Sequence, residues 1–411
     1  MNAQKKIGFW SVFGLVVGSQ VGSGIFATPP ALAPYGLYSI LGWFISGSIA
    51  VILAIIFAIL CMKFPRTGGP HVYAYEAFGE KISFFTGWTY WVVSWFSTPI
   101  VIITTINYLK TVIPIQCPFI WQIGVLVVLT LMNLRSVQSS SHVEFILTLF
   151  KLIPFTIIPI VGFFYFDSSN FYPIESLSLK ESSDMLIITL FSFLGLECAT
   201  APAEFVKNPE KTIPKAIISG TVCVALLYIL NSTSLLGLVP SHVLIHSHAA
   251  YVDAASTLLG GGKIIGVIAT IVCIGTLNVW ILTSSQIAYG LARDGLFPKI
   301  FTYTNQYGTP FMSVLISSAL IIPLLFLTAQ QNMTKQLIEI IDYSGIMILI
   351  VYAISSMALI KLTRHYVLGG IGFLCCVGII AFKSWQEILV GAILILLGWP
   401  IYMSIKENRK K

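Results

Sequence analysis

Three places in this chain of 411 residues carry groups that could do chemistry within otherwise apolar segments. The first is the run Gly22-Ser23-Gly24, which predicts a helix break because each helical glycine costs about 1 kcal/mol relative to alanine. A helix restarting there would present free N–H groups and its positive dipole end, which can hold a carboxylate. The alternative is a helix-packing face, because Gly14, Gly18 and Gly22 recur every four residues.

The other two places are single charges, Glu197 shortly after Gly195 and Lys151 in the middle of an apolar run. A charge near the bilayer centre costs at least about 2.5–3.5 kcal/mol, so it normally faces the bundle interior and has a role. A desolvated Glu197 would take up a proton readily and is a candidate proton carrier. Lys151 could replace a bound sodium ion by its charge. A structural hydrogen bond for Glu197 and an ion pair between helices for Lys151 remain open alternatives.

These residues must be positioned by membrane-spanning helices. Apolar residues make up 56% of the chain and charged residues 9%, whereas soluble domains carry about 25% charged residues. A spanning helix needs about 20 mostly apolar residues. The predicted spans lie near 8–33, 38–61, 84–109, 118–134, 142–166, 185–205, 214–238, 264–290, 311–328, 336–360, 367–382 and 386–405.

The distribution of lysine and arginine predicts the orientation. With the N-terminus inside, 17 of the 23 basic residues fall on the cytoplasmic side and five, among them Lys383, on the outer side, as the positive-inside rule requires. An even number of spans returns the C-terminus to the cytoplasm. This bias accounts for the net charge of +7 without a nucleic-acid partner.

Several function classes lack their motifs. HExxH, GxSxG and paired buried histidines are missing, which argues against a membrane enzyme. Single buried charges do not make the repeated polar lining of a channel filter. No P-loop is present for a nucleotide-driven pump. Nothing in the sequence requires a metal or a cofactor.

Several ordered motifs are similar to those of the amino acid–polyamine–organocation superfamily, and most similar to bacterial arginine/agmatine and related basic amino acid/polyamine antiporters. The resemblance covers nearly the whole chain. The motifs are Gly22-Ser23-Gly24-Ile25-Phe26; Pro65-Arg66-Thr67-Gly68-Gly69-Pro70; the run from Phe191 to Glu197; the run from Lys207 to Pro214; and Asp294-Gly295-Leu296-Phe297-Pro298.

The resemblance implies an all-α membrane protein of about twelve transmembrane helices with a leucine-transporter-like fold. Its single transporter domain, 1–411, would contain two inverted five-helix repeats, about 8–166 and 185–360, and two further helices in about 367–405. The first and sixth spans would be discontinuous at the membrane midplane, as in many secondary transporters. The resemblance also implies secondary transport by alternating access in the cell inner membrane, with an amino acid or polyamine as substrate.

The resemblance also implies roles for particular residues. Ser23 and Gly24 would bind the substrate carboxylate, and carbonyls near Gln20, Phe191 and Leu194 would hold the amino group. Trp280 would line the side-chain pocket, with Thr98, Val101 and Ser344 nearby. Tyr90 and Tyr352 would act as gates. The remaining predicted residues are Ser19, Gly22 and Gly195 for substrate binding, and Lys151 and Glu197 for coupling to protons.

Two departures from the antiporter pattern bear on the substrate. Phe191 stands where the antiporters have a tryptophan, and Ser19 where they have another polar residue. Phenylalanine is a weaker π face for a cation. Lys151 is similar to the lysine of sodium-independent permeases in the superfamily. Proton-linked uptake, amino acid/polyamine exchange and proton symport of neutral amino acids therefore all stay open, as does a homodimer in the membrane lipid.

Overall fold

The computed structural model describes residues 6–66, 68–134, 155–200, 203, 206–328 and 333–408, which are almost entirely helical. The helices are α1 Phe9–Gln20, α2 Ser23–Leu32, α3 Tyr38–Lys63, α4 Pro70–Phe78, α5 Glu80–Phe96, α6 Thr98–Lys110, α7 Pro118–Asn133, α8 (described part 155–163), α9 Leu179–Phe191, α10 Pro209–Leu238, α11 Ser241–Leu244, α12 Ala250–Leu259, α13 Lys263–Arg293, α14 Phe311–Thr328, α15 Met333–Thr363, α16 Tyr366–Ala381, α17 Trp385–Leu396 and α18 Trp399–Asn408.

Eight helical stretches in the described residues are long and apolar enough to cross a membrane. They are Phe9–Tyr35, Tyr38–Lys63, Glu80–Lys110, Pro209–Leu238, Lys263–Arg293, Phe311–Thr328, Leu337–Thr363 and Trp385–Glu407. Two shorter apolar helices, α7 and α16, coincide with the fourth and eleventh predicted spans. The all-α class predicted from the sequence is therefore confirmed. Lys151, in the predicted fifth span, lies outside the described residues.

Some predicted spans are built from two helices. The first consists of α1 and α2, and the third of α5 and α6, which meet at Ser97. Pro99 has no N–H to donate to the preceding turn, so it fits the start of α6, where that N–H would have no helical partner. The twelfth span likewise divides into α17 and α18 around Gly398. The divisions of the third and twelfth spans were not predicted from the sequence.

Loops expected on one side of the membrane contact one another. On the side rich in basic residues, the Lys207 N–H donates to the Ile7 carbonyl at 2.9 Å, and His71 Nε2 lies 3.1 Å from Asp294 Oδ2. On the opposite side, Asn170 Nδ2 donates to the carbonyl of Gly237 at 2.8 Å. The two groups of loops are therefore gathered at opposite ends of the bundle.

A buried ammonium joins the last two spans to the rest of the bundle. Lys383, between α16 and α17, has a fully buried side chain, and its Nζ lies 2.6 Å from Asp184, 2.9 Å from Asp342 and 3.1 Å from Glu387. Burial alone would lower the pKa of Lys383, but attraction by Asp342 and Asp184 outweighs it and raises the pKa. Asp342 of α15 is thus one of three carboxylates that surround the Lys383 ammonium group.

Candidate functional site

The first span is interrupted where the sequence predicted. α1 ends at Gln20 and α2 begins at Ser23. Gly22, between them, has φ −148° and ψ −139°, which is not helical, and no side chain caps α2. A Cβ on Gly22 would collide with the side chain of Thr276, so α13 packs directly on the break. The break therefore leaves the first N–H groups of α2 available to a ligand, as in anion sites at helix N-termini.

The sixth span loses its regular helix after Phe191. Tight turns follow, with the Leu194 N–H donating to the Phe191 carbonyl at 3.1 Å and the Cys198 N–H donating to the Gly195 carbonyl at 3.0 Å. Gly195 has φ +103°, a conformation that residues with a Cβ rarely adopt. Glycine is thus required here by the backbone conformation itself.

The two breaks contact each other at the same depth. Ser19 Oγ lies 3.0 Å from the Gly195 carbonyl oxygen, to which it can donate. A Cβ on Gly24 would lie 3.0 Å from Ser192 Cα, so these two backbones approach closely. Of the three glycines of the predicted packing face, Gly22 therefore combines close helix contact with the helix break, so the two interpretations are not alternatives at this residue.

Tyr228 of α10 lies across both breaks. Its buried hydroxyl is 2.7 Å from the carbonyl oxygen of Gln20 and 2.9 Å from that of Ser192. A hydroxyl has one proton to donate, so it bonds one of these carbonyls at a time. Both carbonyl groups lack a hydrogen-bond partner within their own helix, because they lie where α1 and α9 end. No local signal marks Tyr228 in the sequence, because it is an aromatic residue within an ordinary apolar span.

A central cavity of about 20 Å³ lies between the breaks. Its lining residues are Ser19, Gln20, Gly22, Gly24, Ser97, Val101, Phe191, Ser192, Leu194, Thr276 and Trp280. Eight of the twelve residues predicted to bind substrate or to lie near it belong to this lining, so the two breaks, Val101 and Trp280 converge on one place. None of the described lining residues is acidic.

Four predicted substrate residues stand apart from this lining. Thr98 is buried and donates to the Ser94 carbonyl at 2.8 Å, while its neighbour Ser97 reaches the cavity instead. Ser344 is fully buried on α15. Gly195 contacts Ser19 behind the cavity. Ser23 begins α2, but its side chain lies outside the described part of the structure.

Three lining residues were missed: Ser97, Ser192 and Thr276. Ser192 could have been found from its place directly after Phe191, where α9 ends. Ser97 precedes Thr98-Pro99, and the proline was an available signal for a helix end. Thr276 had no signal, because only the packing of α13 against the first break brings it to the cavity.

Glu197 is fully buried beside the central cavity. The Tyr352 hydroxyl donates to its Oε2 at 2.6 Å, and the Tyr90 hydroxyl lies 3.8 Å from Sγ of Cys198. Glu197 Oε1 has no hydrogen-bond partner within the described part of the chain. Both tyrosines predicted as gates thus lie around this carboxyl group rather than in the cavity lining. Their gating role stays a prediction.

Comparison with known proteins identifies the family of this chain. Residues 7–405 match the family described as amino acid permease. This chain belongs to the amino acid permease family. The cadaverine/lysine antiporter of Escherichia coli (strain K12) is 31% identical over 344 residues, covering 81% of this permease and 77% of the antiporter. The putative arginine/ornithine antiporter of Bacillus subtilis (strain 168) is 28% identical over 402 residues, covering 88% and 85%.

Family membership settles the class of activity. The permease is a multi-pass membrane protein that carries out secondary transport, and it is not an enzyme. The expectations of amino acid transport and of a basic amino acid/polyamine antiporter family are confirmed at this level.

Proposed function

We propose that this permease exchanges a basic amino acid for a second amino acid or a diamine across the bacterial inner membrane. The observation that carries the proposal is the pair of broken helices enclosing one cavity in a chain similar to the two antiporters above. Exchange needs one site that reaches each side in turn, and a site at the midplane between discontinuous helices meets that need.

Substrate recognition would use the backbone of the two breaks. The N–H groups at Ser23 and Gly24 would hold the substrate carboxylate, because they begin α2 without a side-chain cap. Carbonyl oxygens near Gln20, Phe191 and Leu194 would accept from the amino group. Trp280, with Ser19, Gly22 and Gly195 shaping the backbone, would meet the side chain. Thr98 and Ser344 would support this pocket from behind.

Transport would require movement of the surrounding helices. A volume of about 20 Å³ holds roughly one water molecule, which is much less than an amino acid occupies. Inverted repeats over about 8–166 and 185–360 would supply the two halves that move relative to each other. Tyr90 and Tyr352 would gate the pathway. Lys151 and Glu197 would couple this movement to the binding and release of protons. Both termini would lie in the cytoplasm.

A second candidate is uptake of neutral amino acids by proton symport. The cavity lining favours it, because a second positive charge on the substrate would meet neutral polar groups and the π faces of Trp280 and Phe191 but no described carboxylate. Cation–π attraction is worth about 2 kcal/mol at a desolvated site, less than a buried charge requires.

Counterflow into proteoliposomes tests both candidates. Proteoliposomes of the purified protein are loaded with one unlabelled amino acid or polyamine, and uptake of labelled lysine, arginine, ornithine, cadaverine and leucine is measured with and without a pH gradient. Exchange of a basic pair supports the first proposal. Uptake restricted to leucine and driven by the pH gradient supports the second. A sodium requirement would contradict the proposed role of Lys151, and no uptake of any probe would contradict both.

A further inference from the structure

A second cavity opens at the end of the bundle that carries most basic residues. We call it the vestibule; its volume is about 270 Å³. Ligand pockets for small molecules begin near about 300 Å³, so this space suits a molecule of amino-acid size. It lies between α4, the start of α5 and the end of α13, and its polar lining includes Arg66, Glu76, Glu80, Arg293 and Asp294.

The vestibule presents both signs of charge with apolar surface between them. Arg66 and Arg293 are cationic, and apolar lining comes from Val72 and Leu296. Glu76 is held by Arg66 at 3.1 Å. A zwitterion with an aliphatic side chain is complementary to such a lining: its carboxylate suits an arginine, its ammonium groups suit carboxylates, and its methylene groups suit the apolar wall.

Asp294 is fixed in place yet accessible. His71, whose side chain is 1% exposed, lies on one side of it with Nε2 3.1 Å from Asp294 Oδ2, while the Asp294 side chain is 41% exposed. The His71 carbonyl in turn accepts from Ser83 Oγ at 2.8 Å. A buried support holding a half-exposed carboxylate is the arrangement expected of a group that contacts a ligand.

The vestibule and the central cavity share their two walls. Ser83 and Ser97 are 14 residues apart along α5, and Trp280 and Arg293 are 13 apart along α13. At 1.5 Å per residue, both separations are about 20 Å. Leu291 packs against Gly87 between the two cavities so closely that a Cβ there would collide with it. The vestibule therefore lies about 20 Å from the central cavity along the same two helices, and the Leu291–Gly87 contact forms a closed layer between them.

We infer that the vestibule is a second binding site for the transported amino acid or diamine on the cytoplasmic side, occupied before the substrate reaches the central cavity. This inference rests on the proposed exchange function. Glu80 and Asp294 would receive the ammonium groups, and Arg293 the carboxylate. The charged lining would raise the local concentration of substrate at the closed layer.

The test compares the two faces of the membrane. Uptake of labelled lysine or cadaverine into intact cells reports KM at the outer face, and uptake into inside-out vesicles reports KM at the cytoplasmic face. The variant is Glu80→Gln. Its matched control is Glu210→Gln, because Glu210 is also an acidic residue in the first helical turn, of α10, but is absent from the vestibule lining.

Glu80→Gln should raise the cytoplasmic KM for both probes about three- to tenfold, the loss expected for a charged hydrogen bond at a partly exposed site, with the outer KM unchanged. Glu80→Asp should restore the KM. An equal rise at both faces, or no rise at the cytoplasmic face, would overturn the inference. Failure of the unmodified protein to exchange either probe would count against the proposed function instead.

Arg293→Gln provides an independent arm if Glu80→Gln does not fold. It should raise the cytoplasmic KM for lysine but not for cadaverine, which has no carboxylate for an arginine to bind. Equal effects on the two probes, or no effect on lysine, would exclude substrate recognition in the vestibule.

Discussion

Replacing Gly195 by alanine should destabilise the break in the sixth span far more than the addition of one methyl group would suggest. The backbone there has φ +103°, and a non-glycine residue in so sparsely populated a conformation costs about 1–3 kcal/mol. The new Cβ would also lie 3.0 Å from Ser19 Cβ and 3.1 Å from its Oγ. Ser19 is fixed on α1, so that helix must shift, at a further cost of about 1 kcal/mol. The expected destabilisation is about 2–4 kcal/mol.

The assay is thermal unfolding in detergent together with initial exchange rate in proteoliposomes. Gly124→Ala on α7 is the matched control, since a Cβ at Gly124 would have no atom within 4 Å and alanine is favoured there by about 0.5–1 kcal/mol. The double variant Gly195→Ala with Ser19→Gly should recover the stability lost to the clash with Ser19 but not the stability lost to the strained backbone at residue 195. If Gly195→Ala unfolds at the same temperature as Gly124→Ala, and transports as fast, the account of this break is wrong.

Three further outcomes are expected. Tyr228→Phe should lower the free energy of unfolding by about 1–3 kcal/mol, because a buried carbonyl loses its donor. Tyr366→Phe, at an exposed position, should leave it unchanged. Equal thermal unfolding midpoints for the two variants would refute this prediction. Glu197→Gln should still exchange substrate but with a flatter pH profile, and an unchanged profile in counterflow would make Glu197 structural. Lys383→Met should lower the thermal midpoint, and the midpoint should partly recover from about pH 8 to about pH 5 as the neighbouring carboxylates take up protons. Lys180→Met, at an exposed position, should show neither change. A loss of thermal midpoint in Lys383→Met that grows as the pH falls would contradict this reasoning.

The sequence was sufficient for features that depend on local composition. The lengths of the apolar segments predicted the spans. Lipid offers no hydrogen bonds to exposed backbone groups, so each crossing of the membrane needs a complete helix. Glycine predicted the break at Gly22, because the loss of helix stability is a property of the residue itself. The break at Gly195 was implied by the family resemblance. The burial of Glu197 also followed from its position within an apolar span.

The sequence was insufficient where a residue's surroundings come from distant parts of the chain. Tyr228 bonds carbonyls on two other spans, and Thr276 reaches the cavity only through the packing of α13. The positive-inside count treated Lys383 as one charge in an outer loop, yet Asp184 and Asp342 on two different helices enclose it.

The sequence by itself determined that this chain crosses the membrane many times, where two of its helices break, and which carboxyl group is buried beside the breaks. These follow from the free energy of placing each residue in lipid or in a helix, which neighbouring residues largely fix. Only the packed helices show that the two breaks share one cavity, that Tyr228 bridges them, and that the vestibule shares two helices with that cavity. Those features depend on which helices pack together, and helix packing joins residues that are far apart in sequence.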